Sequence, residues 1–415
     1  MTNAAARASA PGSLGVAAER DRPTLPAGVA FAGAAFAFTS LYVAAGALMP
    51  LLPLYGVQWA LTPALLTLAF AVFAIGFLVA ILTLGSLSDH VGRRPVLLGA
   101  LLIQLASNFI FLVAADIGWV IAGRLVQGIA TGAATAAFTA LLVELAPPNR
   151  KRLGIILGSV GLTGGLGVGS LLAGIVIQRT AAPNSVIFGV LLVATLLGIV
   201  VIALSPETTT RQPGALHSLI PRVVVPRSAR REFAAAVPAL AAIWMLSGLS
   251  GGLCPTMVSS VFLLDSSLVA GLSGSVAPAA SAAIGLAFAT VDPRRSMTVG
   301  IYASIVGAAG IVGGVCAGSL ALMIVGQTIA GAGFGASFTG GLRLVLPLVA
   351  THQRAGIAAG IYLVCYLAFG VPIVIAGVIA NIVGLEPTVY WYVAATMILA
   401  SIGLGAQLHL RHESP

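Results

Sequence analysis

Apolar runs of about 20 residues recur along this chain, and they limit what it can fold into. A helix of that length crosses the roughly 30 Å hydrocarbon core of a bilayer. In lipid only helices and closed barrels satisfy their backbone, and barrel strands alternate apolar with polar residues. These runs are continuous instead, and 59% of the 415 residues are hydrophobic while 7% are charged. The sequence therefore predicts an all-α polytopic membrane protein.

Hydropathy and helix-breaking residues predict about twelve spans. The predicted spans cover residues 27–50, 62–84, 96–115, 118–142, 153–178, 184–204, 235–258, 267–290, 297–315, 318–345, 355–380 and 388–408. The joint between spans 7 and 8 is the least defined, because the surrounding sequence is rich in Gly, Ser and Pro.

A polar central segment divides the spans six and six. Across it, "IAGRLVQGIATGA" (121–133) aligns with "IVGQTIAGAGFGA" (324–336) at three glycines, which favours duplication of a six-helix unit. The predicted organisation is a disordered tail, a first half, a central loop, a second half and a short tail, at 1–26, 27–204, 205–234, 235–408 and 409–415.

The basic residues predict the orientation. All but Arg124, Arg179 and Arg343 fall on one set of alternating loops or at the termini on the same side. Such loops remain in the cytoplasm, so both termini are predicted to be cytoplasmic. The net charge of +9 is then a topology signal. The partner it indicates is membrane lipid and not nucleic acid.

The stretch "GSLSDHVGRRPVLLG" (85–99) concentrates charge between two apolar runs. It resembles the loop signature G-x-L-x-D-x-x-G-R-[RK] of the major facilitator superfamily. "RLVQGIATGAA" (124–134) resembles the span-4 signature of that family, and "SPET" (205–208) resembles its usual end of span 6. The resemblance implies the two-half fold of these transporters, here in a bacterial inner membrane. The matching loop residues are Gly85, Leu87, Asp89, Gly92, Arg93 and Arg94.

The resemblance also implies a role for Asp89. The equivalent carboxylate in the family is thought to latch the two halves together on the cytoplasmic side and to release when the transporter turns inward. In the alternative reading, Arg93 and Arg94 are topology anchors and Asp89 is their counter-ion. The second-half counterpart, "VDPRRSM" (291–297), lacks the glycines.

Arg124 is a charged residue within span 4, which is by default a functional-site hypothesis. Gln127 and Thr131 follow at helical spacing, so the three share one face. We predict that this face lines the substrate or coupling cavity. Snorkelling of Arg124 to the outer surface is the alternative.

Span 5, "GSVGLTGGLGVGSLLAG" (158–174), resembles a glycine signature common in exporters of the superfamily. Gly165, Gly169 and Gly174 match it, whereas Ser170 stands where that signature has proline. Glycines at such spacing are also what any close helix crossing needs, so helix packing is the first interpretation and export the second.

Family architecture implies which residues face the substrate. The resulting surface is mostly apolar with scattered hydroxyls, amides and aromatic rings, which suits a lipophilic or amphipathic small molecule better than a multiply charged one. Each residue taken singly is more often a packing residue. The candidates are Thr39, Tyr42, Trp244, Ser247, Gln327, Thr328, Tyr362 and Tyr366.

No acidic residue falls in the middle of a predicted span. Proton coupling would therefore involve Asp89 or Glu144 at the cytoplasmic edge, or be absent. We predict a monomeric secondary transporter that exports small hydrophobic compounds, with proton antiport as one coupling scheme. Facilitated diffusion or uptake of a neutral nutrient is one alternative, and a sensor or scaffold without flux is another. No catalytic, metal-binding or cofactor motif is present, so neither an enzyme nor a cofactor is predicted.

Overall fold

The computed structural model describes residues 24–210, 212–221, 223–350 and 353–413. These residues form helices joined by turns and contain no strand, and most of the predicted N-terminal tail lies outside them. Twelve helices in this part of the chain are long and apolar enough to cross a membrane. They are α1 (Ala27–Gln58), α2 (Pro63–Leu84), α3 (Arg93–Leu112), α4 (Ile117–Leu145), α5 (Lys151–Arg179), α6 (Pro183–Leu204), α7 (Arg230–Gly252), α8 (Ser267–Ala287), α9 (Pro293–Cys316), α10 (Leu320–Val345), α11 (Arg354–Val383) and α12 (Leu385–Glu413).

Several helix ends differ from the prediction. Helix α1 continues through Pro50 and Pro53 to Gln58, although prolines usually end helices. Membrane helices tolerate proline because neighbouring groups satisfy the freed carbonyls. Helix α7 begins at Arg230, inside the predicted central loop, and ends at Gly252, where a short helix (Cys254–Ser260) takes over. Helix α12 extends to residue 413, into the predicted tail.

Small residues allow the closest helix contacts. Along α9 and α10, glycines recur every seven residues at 300, 307 and 314 and at 326, 333 and 340, and each set faces the other helix. A Cβ atom added at Gly307 would lie 2.3 Å from the backbone nitrogen of Ala330. Lipid tails are as apolar as the side chains, so the hydrophobic effect does not drive helices together inside a membrane. Close backbone contact of this kind is a main source of helix association there.

The glycines of the span-5 signature belong to two different interfaces. A Cβ atom at Gly165 would lie 2.8 Å from that of Tyr42, and one at Gly169 would lie 2.1 Å from the carbonyl oxygen of Val43, both on α1. Gly174 lies instead against α8, because a Cβ atom there would be 2.7 Å from the carbonyl oxygen of Ser267. One stretch of α5 thus packs on both the first and the second set of six helices.

The two sets of six helices are hydrogen-bonded to each other at one end of the bundle. We call the end that carries residues 85–92 the basic end, and the opposite end, with residues 59–62 and 180–182, the far end. Ser170 Oγ donates to the carbonyl oxygen of Gly271 at 3.0 Å. The backbone N–H of Ser267 donates to Gln178 Oε1 at 3.1 Å, and that of Ala64 donates to Asn381 Oδ1 at 3.3 Å. All three bonds lie towards the far end.

The central segment is attached to both sets of helices at the basic end. The backbone N–H of Gln212 donates to the carbonyl oxygen of His90 at 2.9 Å, and Ser86 Oγ donates to that of Ser218 at 3.2 Å. Later in the segment, the N–H of Val224 donates to the carbonyl oxygen of Gly356 at 3.4 Å. The segment therefore follows the first six helices up to Ser218 and the last six from Val224.

Candidate functional site

A cavity lies between the two sets of six helices, with about 900 Å³ of empty space, part of it open to solvent. Four helices of each set contribute: α1, α2, α4 and α5 from the first, and α7, α8, α10 and α11 from the second. The lining is mostly apolar, with a few hydroxyl groups and one charged side chain. It consists of Tyr42, Ala45, Met49, Phe70, Phe73, Arg124, Leu162, Thr163, Leu166, Ile243, Trp244, Leu246, Ser247, Ser250, Gly251, Ala277, Pro278, Ser281, Ala330, Gly331, Phe334, Tyr366 and Phe369.

Aromatic rings form the wall between α2, α7 and α11. The Tyr366 ring stacks on Phe77 with centroids 4.2 Å apart, and the Trp244 ring lies 4.8 Å from Tyr366. Phe70 and Phe369 face each other across the same boundary at 5.1 Å. Offset and tilted ring pairs of this kind are attractive and present broad apolar faces. This wall joins the two sets of helices at mid-depth.

Arg124 is the one charged side chain that lines the described part of the cavity. It is 2% exposed. Its Nη1 donates to Gln127 Oε1 at 2.8 Å, and its Nη2 and Nε donate to the carbonyl oxygens of Phe70 and Ala69 at 3.0 and 3.4 Å. Its guanidinium carbon lies 4.6 Å from the Phe73 ring centroid, within the range of a cation–π contact. Arg124 is therefore held in the interior and does not snorkel.

Behind Arg124, a row of hydrogen bonds follows α4. Thr131 Oγ1 donates to the carbonyl oxygen of Gln127 at 2.8 Å, and Thr135 Oγ1 donates to that of Thr131 at 2.6 Å. The hydroxyl groups of Thr135 and Tyr42 lie 2.8 Å apart. Gln127 and Thr131 are fully buried and support the cavity wall without lining it.

The structure brings together some of the candidate cavity residues and not others. Tyr42, Trp244, Ser247 and Tyr366 line the cavity together with Arg124.

The remaining candidates lie elsewhere. Tyr362 packs beside the rings of Phe77 and Tyr366, and Gln327 is buried where it accepts a hydrogen bond from Ser273 at 3.1 Å. Thr39 lies against Gly161 of α5. Thr328 is exposed on α10, with its hydroxyl donating to the carbonyl oxygen of Ile324.

Several lining residues were absent from the sequence candidates. Phe70, Phe73 and Phe369 stand in apolar runs where nothing separates a cavity-facing ring from a packed one. Ser250 follows the candidate Ser247 by three residues, so helical spacing was a usable signal for it. Helices α2, α5 and α8 contribute lining residues as well, although the sequence candidates all lie on α1, α4, α7, α10 and α11.

The signature loop forms a polar cluster at the basic end. Asp89 pairs with Arg93, whose Nη2 also contacts Glu144 at 3.2 Å. The carboxylate of Glu207 accepts from the backbone N–H groups of Arg93 at 2.8 Å and Arg94 at 3.0 Å, the first two residues of α3. A negative charge at a helix N-terminus satisfies free N–H groups and the helix dipole.

The glycines of this loop have distinct places. Gly92 has φ +105°, a left-handed conformation that a residue with a side chain rarely adopts, and it turns the chain into α3. Gly85 directly follows α2. The pairs described for this loop join residues of the first six helices and the start of the central segment. The proposed latch role of Asp89 across the two halves stays a prediction.

Within the described residues, no group of three or more His, Cys, Asp or Glu side chains could hold a metal ion. The cavity surface consists of rings, aliphatic side chains, hydroxyls and one guanidinium. Such a surface can hold an organic molecule at the boundary between two helix sets.

Comparison with known proteins agrees with the fold. The family model described as "Major Facilitator Superfamily" matches residues 34–312. The chain belongs to that superfamily.

Individual related proteins match only a part of the chain. The inner membrane transport protein YajR of Escherichia coli is 33% identical over 118 residues, 28% of this chain and 26% of that protein. The mouse solute carrier family 2, facilitated glucose transporter member 10, is 33% identical over 138 residues, 32% of this chain and 25% of that protein. The matched part thus spans about a quarter of each relative's length.

Solved structures share the architecture over nearly the whole chain. A bacterial homologue of the human lysosomal transporter Spinster, in an inward-facing and unoccupied conformation, superposes with a TM-score of 0.71 at 14% identity. The superposition covers 92% of this chain and 97% of that one. At this identity the likeness establishes the fold alone.

Proposed function

We propose that this protein is a secondary transporter that exports a small amphipathic organic compound by alternating access. The observation that carries the proposal is the cavity at the boundary of the two helix sets, lined by four helices from each. A site so placed changes the side to which it opens when the two halves rock against each other. Residues 27–204 and 235–408 would be the moving halves.

The arrangement of contacts corresponds to one state of such a cycle. The hydrogen bonds described between the halves lie towards the far end. At the basic end, the ion pair Arg93–Glu144 lies within the first half and the ion pair Arg294–Glu232 within the second. The positive-inside rule assigns the basic end and both termini to the cytoplasm. On this assignment we infer an inward-facing state, with Asp89 paired to Arg93 inside the first half.

The lining favours an amphipathic compound. Rings and aliphatic side chains make up most of the surface, and Ser247, Ser250 and Ser281 add hydroxyl groups to it. Apolar pockets with a few placed polar groups are typical of sites for small organic ligands. The proposal that transport runs outward rests on the resemblance of span 5 to the exporter signature.

A second candidate, facilitated diffusion, is favoured by the positions of the acidic residues. Asp89, Glu144, Glu207, Glu232 and Asp292 all lie at the basic end, and no carboxylate lines the described part of the cavity. A proton relay through the membrane needs a group that titrates on the path. A carrier without such a group and without another coupled ion equilibrates its substrate across the membrane.

Flux in proteoliposomes tests both candidates. Amphipathic anions, cations and neutral compounds would be screened with and without an imposed pH gradient. Accumulation that follows the gradient supports antiport, whereas equilibration regardless of the gradient supports facilitated diffusion. If no compound moves while binding persists, the transport proposal is wrong and a sensor or scaffold role replaces it.

A cross-link at the far end tests alternating access directly. Gln178→Cys and Ser267→Cys would be joined by a short bifunctional thiol reagent in a Cys316→Ser background, because Cys316 is exposed while Cys254 and Cys365 are buried. We expect flux to stop on cross-linking and to return when a cleavable linker is cut. Each single-cysteine variant treated alike is the control. Unchanged flux in the cross-linked protein contradicts the mechanism.

A further inference from the structure

Arg124 gives the cavity a positive charge that no described side chain neutralises. Arginine remains charged even in apolar surroundings. The acceptors of its hydrogen bonds are two backbone carbonyls and the side-chain amide of Gln127, all of them neutral. No carboxylate lines the described part of the cavity. A buried charge without a counter-ion is costly, so it is expected to have a functional partner.

Unused hydrogen-bond donors lie in the cavity wall or directly behind it. Gln127 Nε2, Trp244 Nε1 and Ser250 Oγ are buried and have no hydrogen-bond partner among the described residues. An amide or indole nitrogen can only donate. Trp244 and Ser250 line the cavity with Arg124, and Gln127 is bonded to the guanidinium. Buried donors left without an acceptor are rare in folded proteins, so a cluster of them indicates a missing acceptor.

We infer that the cavity binds an organic monoanion, whose carboxylate or similar oxyanion accepts hydrogen bonds from Arg124 and the neighbouring donors. The inference rests on the proposed function and names the substrate class of that same cavity. One fixed positive charge matches one negative charge. A phosphate ester or a dicarboxylate would call for additional Arg or Lys side chains in the lining.

The rest of the lining defines the organic part. Phe70, Phe73 and Phe369 lie on the same surface as Arg124, together with Met49 and Leu166. A ring or alkyl group attached to the carboxylate would pack against them. Lipophilic cations are disfavoured in this cavity, because their charge would meet the guanidinium in surroundings of low dielectric constant.

Three probes with one carbon skeleton test the charge preference: phenylbutyrate, phenylbutyramide and phenylbutylamine. Binding to the purified full-length protein in detergent would be measured by calorimetry at low salt. We expect phenylbutyrate to bind at least about tenfold more tightly than the amide, and the amine to bind more weakly still, because charge-assisted hydrogen bonds are about twice as strong as neutral ones. Equal affinity for the three probes, tighter binding of the amine, or binding of none overturns the inference.

Variants locate the preference. Arg124→Gln should remove it, and Trp244→Phe, which keeps a ring and loses the N–H, should weaken phenylbutyrate about threefold or more with little effect on the amine. If Arg124→Gln does not give a monodisperse protein, Ser250→Ala and Trp244→Phe together test whether the preference for the carboxylate depends on the cavity donors. Thr328→Val, on the exposed face of α10, is the matched control. A preference for the carboxylate that survives in all foldable cavity variants contradicts the inference.

The same experiments separate this inference from the transport proposal. If phenylbutyrate binds in a way that depends on Arg124 but does not cross the membrane of proteoliposomes, the anion site is supported and the transport proposal is contradicted. Flux of amines or neutral compounds with no preference for carboxylates would retain transport and reject the anion site.

Discussion

Ser170 donates a hydrogen bond to the carbonyl oxygen of Gly271 at 3.0 Å, across the boundary between the two halves. The signature of exporters that span 5 resembles has proline at this position, and proline could not make this bond. Gly271 allows the approach, because a Cβ atom there would lie 2.7 Å from the carbonyl oxygen of Ser170. Contact between the halves at the far end thus depends on two small residues.

Gly271→Val should open the far end. The added side chain would overlap the backbone of α5, so the far-end contact becomes unfavourable and the outward-facing state gains population. The measurement is the labelling rate of Ala270→Cys, a buried position on α8, by a membrane-impermeant maleimide in a Cys316→Ser background, which should rise at least about fivefold. Gly189→Val is the control, because nothing lies within 4 Å of a Cβ atom at Gly189. Equal labelling in the two variants would contradict the role of this contact.

Gly307→Leu should destabilise the protein strongly. A side chain at Gly307 would meet the backbone of Ala330, and overpacking typically costs about 1–3 kcal/mol or more. We expect a Tm several degrees lower in detergent, or no folded protein. Gly99→Leu, with open space around its Cβ position, should leave the Tm nearly unchanged. A similar Tm for the two variants would show that α9 and α10 can separate at little cost.

Glu207→Ala should destabilise the start of α3. Its carboxylate caps two backbone N–H groups there, and losing a helix cap costs about 1 kcal/mol. Asp292→Ala removes a cap that rests on one bond, to the N–H of Arg295 at 2.8 Å, and should lower the Tm by less. Glu207→Gln, which keeps an acceptor and loses the charge, should fall between wild type and Glu207→Ala. The reverse ranking of the two alanine variants would exclude capping as the main role of Glu207.

Asp89→Asn should impair transport and leave stability nearly unchanged. The Asp89 side chain is 56% exposed, and exposed ion pairs contribute less than about 1 kcal/mol. If Asp89 latches the halves in the opposite state, its loss slows the conformational cycle while the Tm stays constant. Flux per folded molecule is the measurement, with Asp265→Asn, exposed at the far end, as the control. A normal flux in Asp89→Asn would reduce the residue to a counter-ion of Arg93.

Much of the fold follows from hydropathy, because every span must be apolar over the thickness of a bilayer. The errors arose at residues whose local preference is overruled by their surroundings. Pro50 and Pro53 break helices in water but lie inside α1 here. The predicted end of span 7 is too late, since hydropathy continues past Gly252 into the short helix that contains Pro255.

The site was less predictable than the fold. A charged residue in an apolar run is conspicuous, so Arg124 was found from sequence. The hydropathy pattern of an apolar helix does not show which side faces lipid and which faces the protein interior, because both surroundings are equally apolar. Thr328 and Gln327 are neighbours in the sequence, yet Thr328 is exposed and Gln327 is fully buried.

The attachment of the central segment has a mechanical consequence. Among the described residues, its last hydrogen bond to the first half is at Ser218 and its first to the second half is at Val224, with five residues between them. Six extended residue steps span at most about 22 Å. While both bonds hold, the segment acts as a short tether, and chain length limits how widely the two halves can separate at the basic end.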